Sequence, residues 1–459
     1  MSTHPRFMIS AAHKSSGKTV VSVGLSAALR AAGDDLQTFK KGPDYIDPMW
    51  LSAASGRPCY NLDFNAMERD DIARFFCEKS RGLSLVEANK GLFDGVEPDG
   101  SDSNAALAKL LQLPVVLVID TLGMSRGIAP LLMGYEAFDA EVNIAGVILN
   151  KVGGARHEGK LRRAVETYTD LPVLGAVWRN KDLEIGERHL GLTTPAETEA
   201  RDAVVARIGA VVGDSVDLDL LRGLARTAPG LDASAPPGLM DKPGAGLRIG
   251  YARDAAFGFY YPDDLEAFER MGAELVPIDI IRDAALPAID GLFIGGGFPE
   301  MRAAELSANA SMRASVKAAL EAGLPAYAEC GGLMYLSEAI CWGGECHDMV
   351  GFIPGRSVMH ARPQGRGYVR YDCTEANPWG SAGREIRAHE FHYASLDGVP
   401  DGLTWARRIT RGHGTDGERD AIVKANTVAG FIHLRNTSRV PWVRGFLEFV
   451  SRCKAGGAA

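Results

Sequence analysis

The stretch that decides the fold is FMISAAHKSSGKTVVSVGLSAALRAAG, residues 7–33. Its first part, FMISAA (7–12), is a short apolar run typical of a buried parallel strand. AHKSSGKT (12–19) follows at once, and VVSVGLSAALRAAG (20–33) has the apolar spacing of a helix that ends at the stop glycine Gly33. A strand, a glycine-containing loop and a helix in this order begin an α/β fold.

The loop at 12–19 fits the phosphate-loop pattern, except that Ala12 stands where the leading glycine would be. Successive backbone N–H groups and the helix N-terminus would cradle phosphates, and Lys18 would reach the terminal ones. The Thr19 hydroxyl would bind Mg²⁺. The alternative is a Ser/Gly-rich turn that caps an ordinary helix. Because a strand precedes the loop and a helix follows it, we predict a nucleotide site that also holds Mg²⁺.

Apolar strand-like runs alternate with helical patterns along the first half of the chain. Besides FMISAA, the runs are LSLVEA (83–88), PVVLVID (114–120) and IAGVILN (144–150). This alternation predicts a largely parallel sheet.

The chain divides into two predicted domains. Residues 226–246 are rich in Pro, Gly and Ala with little periodicity, which predicts a linker between domains 1–225 and 247–455. LRIGYARD (247–254) then starts a second set of strands: ELVPID, GLFIGGG and PAYAEC. We therefore expect an α/β protein of two domains.

Several polar residues follow the predicted strands of the first domain, at the sheet edge where ligands gather. TFKKGPDYIDP (38–48) contains Lys40, Asp44, Tyr45 and Asp47 around a Gly-Pro turn, a density that a plain surface turn does not need. Glu87 ends the run 83–88, where a carboxylate beside a phosphate loop is a natural Mg²⁺ ligand.

Two further strand ends leave alternatives open. Asp120 could serve Mg²⁺ in the same way as Glu87, or it could be a helix N-cap. Asn150 could pair with a purine edge, or it could simply form a turn. Asp94 belongs to the turn Asp94-Gly95 in VEANKGLFDG (86–95).

The second domain carries a candidate nucleophile. Cys330 falls where PAYAEC gives way to a helix, with Gly331 and Gly332 next. A lone cysteine is usually a buried small hydrophobe. Here the context resembles a nucleophile elbow, in which a strained turn exposes the side chain and the helix N-terminus favours the thiolate.

Two other segments complete this candidate site. LFIGGGFPE (292–300) supplies Gly295, Gly296 and Gly297 after a strand, and we expect Gly296, Gly297 and Gly331 to donate N–H groups to an oxyanion. GFIHLRN (430–436) puts His433 at a strand end as the base for the thiol.

A cysteine elbow, a glycine-rich loop and a late histidine in this order resemble the class I glutamine amidotransferase domain. The resemblance implies that glutamine is hydrolysed through a thioester on Cys330. Members usually have an acid two residues after the histidine, where this chain has Arg435. The third member of the triad is therefore open, and HEFHY (389–393) offers His389, Glu390 and His392 as helpers or, alternatively, as a packed strand.

The chain as a whole closely resembles the cobyrinate a,c-diamide synthase family. The motifs that carry the resemblance are KGPDYIDP (41–48), Glu87 with GLFDG (91–95), IGGGFPE (294–300), AECGG (328–332) and HEFHY. It implies a dethiobiotin-synthetase-like ATPase domain joined to a glutaminase, and amidation of two acetate groups of a tetrapyrrole by way of acyl phosphates.

The resemblance and the motifs together assign the site residues. Cys330 and His433 are the predicted catalytic pair. The predicted cofactor-binding residues are Ser15, Ser16, Gly17, Lys18, Thr19 and Asn150. The predicted substrate-binding residues are Lys40, Asp44, Tyr45, Ile46 and Asp94. The predicted metal ligands are Thr19, Asp44 and Glu87.

One segment departs from the family pattern. After Glu87 the family typically has Gly-Val-Met-Gly, whereas this chain has Ala88-Asn89-Lys90-Gly91. Lys90 would stand near the carboxylates of the acceptor, or it is a solvated charge. Sirohaem and nickel-sirohydrochlorin therefore stay open as alternative acceptors.

Two other classes of function compete. A CTP-synthase-like enzyme also joins such an ATPase domain to a glutaminase, but this chain is short for one and Arg435 counts against it. An ATP-driven switch of the partition type would have its signature lysine at the place of His13, and Lys14 is one position late.

Composition limits the remaining choices. The 459 residues carry 58 acidic and 50 basic side chains, with no Lys/Arg block that indicates nucleic-acid binding. The seven cysteines include one close pair, Cys341 and Cys346, without zinc spacing, so we expect reduced thiols. Without a signal or membrane segment the protein is expected in the cytoplasm. The resemblance to the family implies the small molecules tetrapyrrole, L-glutamine and ATP as partners. The oligomeric state is open, with a homodimer as the candidate.

Overall fold

The structure, a computed structural model, describes residues 4–183, 185–188, 191–192, 201–231, 241–380 and 382–456. The chain forms two compact units, residues 1–236 and 237–459. The division falls inside the predicted linker 226–246, of which residues 232–240 lie outside the described residues.

The first unit contains eight described helices and nine described strands. The helices are α1 (Lys18–Ala31), α2 (Ile46–Ser55), α3 (Arg69–Lys79), α4 (Asn104–Leu110), α5 (Ile128–Phe138), α6 (Ala155–Tyr168), α7 (Arg201–Ser215) and α8 (Leu218–Arg226). The strands are β1 (Arg6–Ala11), β2 (Leu36–Lys41), β3 (Tyr60–Leu62), β4 (Leu83–Glu87), β5 (Val115–Asp120), β6 (Ile144–Val152), β7 (Val173–Trp178), β8 (Glu187–Arg188) and β9 (Gly191–Leu192).

Seven of these strands form one parallel sheet in the order β3-β2-β4-β1-β5-β6-β7. Its strands are apolar on both faces because both faces are covered: Met8 packs into one core cluster, while Phe7 and Ile9 pack into another. The predicted parallel sheet is confirmed. Since parallel strands point the same way, the ends of β1, β2 and β4 bring their polar residues to one edge.

The second unit contains five described helices and fifteen described strands. The helices are α9 (Pro262–Arg270), α10 (Ala303–Ala308), α11 (Ala310–Glu321), α12 (Gly331–Leu336) and α13 (Trp442–Gly456). The strands are β10 (Arg248–Ala252), β11 (Phe257–Phe259), β12 (Glu274–Ile278), β13 (Gly291–Ile294), β14 (Gly296–Gly297), β15 (Ala326–Glu329), β16 (Ala339–Trp342), β17 (Glu345–Asp348), β18 (Arg356–Met359), β19 (Gly365–Cys373), β20 (Glu385–His392), β21 (Ala394–Asp397), β22 (Thr404–Arg411), β23 (Arg419–Lys424) and β24 (Thr427–Gly430).

The main sheet of the second unit has nine strands in the order β12-β10-β13-β15-β24-β23-β22-β19-β20. Its first five strands are parallel, and four of them, β12, β10, β13 and β15, were expected from the apolar runs. The remaining strands join in antiparallel pairs. An isolated antiparallel bridge between His389 and His433 brings β20 beside the segment that follows β24.

The expectation of fully reduced cysteines is wrong. Cys341 and Cys346 are directly opposite each other in the antiparallel pair β16–β17 and form a disulfide. The physical reason is the tight hairpin, which puts their Cα atoms 4.1 Å apart. The other five cysteines are free.

Among the described helices, none is both long and apolar enough to cross a membrane.

Candidate functional site

The phosphate loop lies between β1 and α1 and needs its glycine. Ser15 and Gly17 both have left-handed backbone conformations, with φ of 64° and 83°. A Cβ on Gly17 would lie 2.2 Å from Nδ2 of Asn150, so no larger residue fits there without movement. Asn150 therefore packs directly beneath the loop.

Two residues at the end of β6 hold the loop by its carbonyl groups. Asn150 Nδ2 donates to the Ser16 carbonyl oxygen at 2.9 Å, and Lys151 Nζ donates to that of Ser15 at 3.1 Å. The Ser16 hydroxyl donates to the His13 carbonyl oxygen at 2.8 Å. With its carbonyls turned toward these donors, the loop has N–H groups left for an anion. Contact of Asn150 with a purine stays a prediction.

A cluster of charged side chains adjoins the start of α1. Thr19 Oγ1 lies 2.7 Å from Glu87 Oε1 and 3.2 Å from Asp47 Oδ2. Lys40 Nζ lies 2.6 Å from Asp47 Oδ2 and 2.8 Å from Glu87 Oε1. We call these four residues the acid cluster. The structure thus brings together the predicted residues Thr19, Lys40 and Glu87.

The charges in the acid cluster depend on one another. Burial alone would lower the pKa of Lys40, but Asp47 and Glu87 hold it well above its usual value. Burial raises the pKa of Glu87 against the opposing effect of Lys40. For Asp47 burial acts to raise the pKa, but the attraction of Lys40 and the side-chain hydrogen bonds around the carboxylate together lower it. A protonated Lys40 therefore neutralises part of a buried double negative charge.

The acid cluster has the donor set that Mg²⁺ prefers. Glu87 Oε2 is buried and has no hydrogen-bond partner, so one carboxylate oxygen is left for a cation. No group of three or more His, Cys, Asp or Glu side chains suited to a metal occurs in the described part of the chain. Mg²⁺ usually takes one or two carboxylates plus nucleotide phosphates, and the acid cluster offers the carboxylates of Asp47 and Glu87.

Asp44 lies at the rim of the acid cluster. Its Oδ1 accepts from the backbone N–H groups of Ile46 and Asp47 at 3.0 and 3.2 Å, which fixes the start of α2. Its Oδ2 is 3.9 Å from Lys40 Nζ. Tyr45 and Ile46 are half-buried beside it. Their contacts with a substrate stay predictions.

Lys18 reaches from the phosphate loop to the segment after β4. Its Nζ donates to the Lys90 carbonyl oxygen at 2.5 Å, and burial together with nearby Lys40 lowers the pKa of Lys18 to about 8. Lys90 has a left-handed backbone (φ 40°) and is exposed. Asp94 Oδ2 accepts from the Gly91 N–H at 2.9 Å and so shapes the same segment.

The Asp120 carboxylate contacts a lysine and a backbone N–H group and is not one of the four residues of the acid cluster. Its Oδ2 pairs with Lys151 Nζ at 2.8 Å, and its Oδ1 accepts from the Leu122 N–H at 3.0 Å. Asp120 therefore closes a turn and does not cap a helix, because the next helix, α5, begins only at Ile128.

In the second unit, Cys330 occupies a strained turn between β15 and α12. Its φ is 51° and its ψ is −105°, values that a non-glycine residue rarely adopts. The side chain is 7% exposed. A Cβ on Gly332 would lie 2.2 Å from the Ile294 carbonyl oxygen, so the turn requires a glycine there. This geometry fits the predicted elbow.

The three predicted oxyanion glycines lie close to this turn. A Cβ on Gly331 would be 3.2 Å from the Gly297 backbone nitrogen, which places the two backbones side by side. A Cβ on Gly296 would be 2.6 Å from His433 Cε1. Donation of their N–H groups to an oxyanion stays a prediction.

His433 contacts both Cys330 and a carboxylate that the sequence did not single out. It is hydrogen-bonded to the Cys330 side chain, and its Nδ1 is 3.2 Å from Glu329 Oε1. Burial would lower the pKa of His433, but Cys330 and Glu329 raise it to about 10.

His389, Glu390 and His392, the candidates in HEFHY for a third member of the triad, contact different groups. The His389 ring stacks on the His433 ring with centroids 4.9 Å apart, and burial lowers the pKa of His389 well below its usual value. Glu390 accepts from the backbone N–H groups of His413 and Gly414 at 2.8 and 2.7 Å. His392 Nδ1 donates to the Ala394 carbonyl oxygen at 2.8 Å, and the His392 ring stacks on Phe431.

Glu329 is the residue that was missed, whereas Asp47 was singled out but assigned no role. Asp47 was visible in KGPDYIDP, where the i, i+3 spacing from Asp44 could have indicated a residue in the first turn of a helix. Glu329 directly precedes Cys330, but only the folded chain brings it to His433, 104 residues away.

Two family models match this chain, one in each unit. Residues 7–192 match a family model described as the CobQ/CobB/MinD/ParA nucleotide binding domain. Residues 248–440 match the CobB/CobQ-like glutamine amidotransferase domain.

Curated relatives cover nearly the whole chain. The cobyrinate a,c-diamide synthase of Magnetococcus marinus is 44% identical over 97% of each chain. That of Methanosarcina acetivorans is 38% identical over 99% of this chain and 97% of its own, and that of Archaeoglobus fulgidus is 38% identical over 97% of each. This chain therefore belongs to the cobyrinate a,c-diamide synthase family.

Proposed function

We propose that the protein is an ATP- and glutamine-dependent ligase that amidates the a and c acetate carboxylates of cobyrinate. The observation that carries this proposal is the occurrence, in one chain, of a Cys330–His433 pair at an elbow and an acid cluster beside a phosphate loop. The first arrangement suits glutamine hydrolysis, and the second suits phosphoryl transfer. The relatives named above support cobyrinate as the acceptor.

In the second unit, His433 would already hold the thiol proton as an imidazolium, and the Cys330 thiolate would attack the amide carbon of glutamine. The N–H groups of Gly297 and Gly331 would stabilise the oxyanion. The proton then passes from His433 to the leaving ammonia, and water hydrolyses the thioester to glutamate.

In the first unit, an acceptor carboxylate oxygen would attack the γ-phosphorus of ATP to give an acyl phosphate and ADP. Lys18 and the loop N–H groups would hold the phosphates. Thr19, Asp47 and Glu87 would hold Mg²⁺, which when bound would neutralise charge on the β- and γ-phosphates. Ammonia then attacks the acyl carbon and phosphate leaves. Activation is needed because carboxylate and ammonium ions do not condense in water.

An alternative to cobyrinate as the acceptor rests on Lys90, the exposed lysine in the segment 88–91 that differs from the family pattern. A lysine there would suit a tetrapyrrole with another arrangement of carboxylates, such as sirohaem or nickel-sirohydrochlorin. Cytoplasmic location and assembly as a homodimer are further predictions.

The division of labour is tested with Cys330→Ala. We expect the variant to lose amidation with glutamine and to retain it with an ammonium salt, since ammonia then bypasses the thioester. Wild-type protein assayed with both nitrogen sources is the control. Loss of both activities in the variant would contradict the proposed roles.

A further inference from the structure

We propose that Glu329 is the carboxylate that positions His433, in place of the acid that class I glutaminases usually carry two residues after the histidine. This inference rests on the proposed glutamine hydrolysis and deepens it. In this chain the usual place holds Arg435, which is paired with Asp263 at 3.1 Å instead.

The first ground is the geometry of the imidazole. Glu329 Oε1 is 3.2 Å from His433 Nδ1, and both side chains are 3% exposed. With Nδ1–H donated to the carboxylate, Nε2 is left for the Cys330 sulfur, with which His433 is hydrogen-bonded. This is the tautomer that a general base needs.

The second ground is that Glu329 fixes the backbone as well as the ring. Its Oε2 accepts from the Leu434 N–H at 3.1 Å, so one carboxylate holds both His433 and its neighbour. Glu329 also directly precedes Cys330 on β15. The nucleophile and its base are thereby tied to a single buried side chain.

The third ground is a buried network that holds the carboxylate. The Tyr327 hydroxyl donates to Glu329 Oε2 at 2.9 Å, and Arg407 donates to the Tyr327 oxygen at 3.2 Å. Arg407 also pairs with Asp420 at 3.0 Å. Asp420 accepts from the Phe431 N–H at 2.8 Å, which anchors the segment that carries His433.

The role of Glu329 is electrostatic and orientational, and no bond to it forms or breaks. When His433 takes the thiol proton, the resulting imidazolium lies against the carboxylate and is stabilised there. When the proton passes to ammonia, the imidazole returns to the same position.

The test compares Glu329→Gln with Glu390→Gln. Glu390 is a matched control because it is also 2% exposed in this unit but binds the backbone N–H groups of His413 and Gly414. We expect glutaminase kcat to fall by roughly 10³- to 10⁴-fold in Glu329→Gln, as for the loss of the orienting acid in other triads. Glu390→Gln should lose less than tenfold.

A second readout separates orientation from general damage. The pH dependence of Cys330 alkylation by iodoacetamide should move to higher pH in Glu329→Gln, because the imidazolium that accompanies the thiolate is no longer stabilised. Glu390→Gln should keep the wild-type profile. If Glu329→Gln does not fold, Tyr327→Phe should move the profile in the same direction by a smaller amount, because it removes one of the two donors to Oε2 and leaves the Leu434 N–H in place.

Equal glutaminase losses in the two glutamine variants, or an alkylation profile unmoved in both Glu329→Gln and Tyr327→Phe, would overturn the proposal. Failure of the proposed function is distinguishable, since alkylation requires neither glutamine, ATP nor acceptor. Wild-type protein without glutaminase activity would refute the function, and the alkylation profiles would still decide the role of Glu329.

Discussion

Replacing Lys40 with methionine should destabilise the first unit unless a divalent cation is present. Lys40 Nζ contacts Asp47 at 2.6 Å and Glu87 at 2.8 Å, and the lysine side chain is 4% exposed. At an effective dielectric constant of about 20, each contact represents roughly 6 kcal/mol of Coulomb attraction before desolvation. The net cost of removing one partner from a buried ion pair is smaller, about 3–5 kcal/mol.

Mg²⁺ should recover most of this loss, because it would supply the positive charge that Asp47 and Glu87 need. Stability is measured in urea by hydrogen exchange of peptides from β1 and β4, which reports on the first unit separately. The series is run with excess magnesium chloride and with a chelator.

Lys109→Met is the matched control. Lys109 also contacts two acids, Asp139 at 2.8 Å and Glu141 at 3.1 Å, but its side chain is 35% exposed. Lys109→Met should lower the free energy of unfolding by no more than about 1 kcal/mol, and magnesium should not change this loss. The account of the acid cluster is refuted if Lys40→Met and Lys109→Met have the same stability, or if magnesium does not distinguish them.

The remaining predictions concern the elbow and its base. Gly332→Ala should lower the free energy of unfolding by about 1–3 kcal/mol, because the new Cβ would lie 2.2 Å from the Ile294 carbonyl oxygen. The variant should lose glutaminase activity and keep ammonium-dependent amidation. Urea unfolding measures its stability and glutamate release measures its glutaminase activity, and an active variant would contradict the close approach of Gly332 to Ile294. His433 has a folded pKa of about 10 against an ordinary value of 6.5, so its stabilisation is fully present below pH 6.5 and is lost as pH rises through 10. The stability advantage of wild-type protein over His433→Gln should therefore shrink across that range in urea unfolding, and a constant advantage would show that the histidine is not charged in the folded state.

The parts of the fold that could be predicted from sequence are those encoded locally. β1, the phosphate loop and α1 lie within one continuous stretch, and apolar runs mark β4, β5 and β6 because both sheet faces are buried. The elbow at Cys330 was predictable for the same reason, since the strand, the nucleophile and the two glycines are contiguous.

The rest depends on contacts that no local pattern encodes. Glu329 meets His433 only through the pairing of β15 with β24 and the crossing of the next segment to β20. The half-exposed antiparallel strands β19, β20 and β22 carry mixed polar and apolar residues, so their apolar runs are short. The disulfide depends on hairpin register, which spacing alone does not fix.

The mass of the product shows whether this chain transfers glutamine nitrogen to cobyrinate. Wild-type protein is incubated with ATP, Mg²⁺ and amide-¹⁵N-labelled glutamine, with cobyrinate, sirohaem and nickel-sirohydrochlorin offered in parallel. We predict two ¹⁵N atoms in the cobyrinate product, none with Cys330→Ala, and two again when that variant receives ¹⁵N-ammonium. Unlabelled cobyrinate in the wild-type reaction, or label in sirohaem or nickel-sirohydrochlorin alone, would contradict the account.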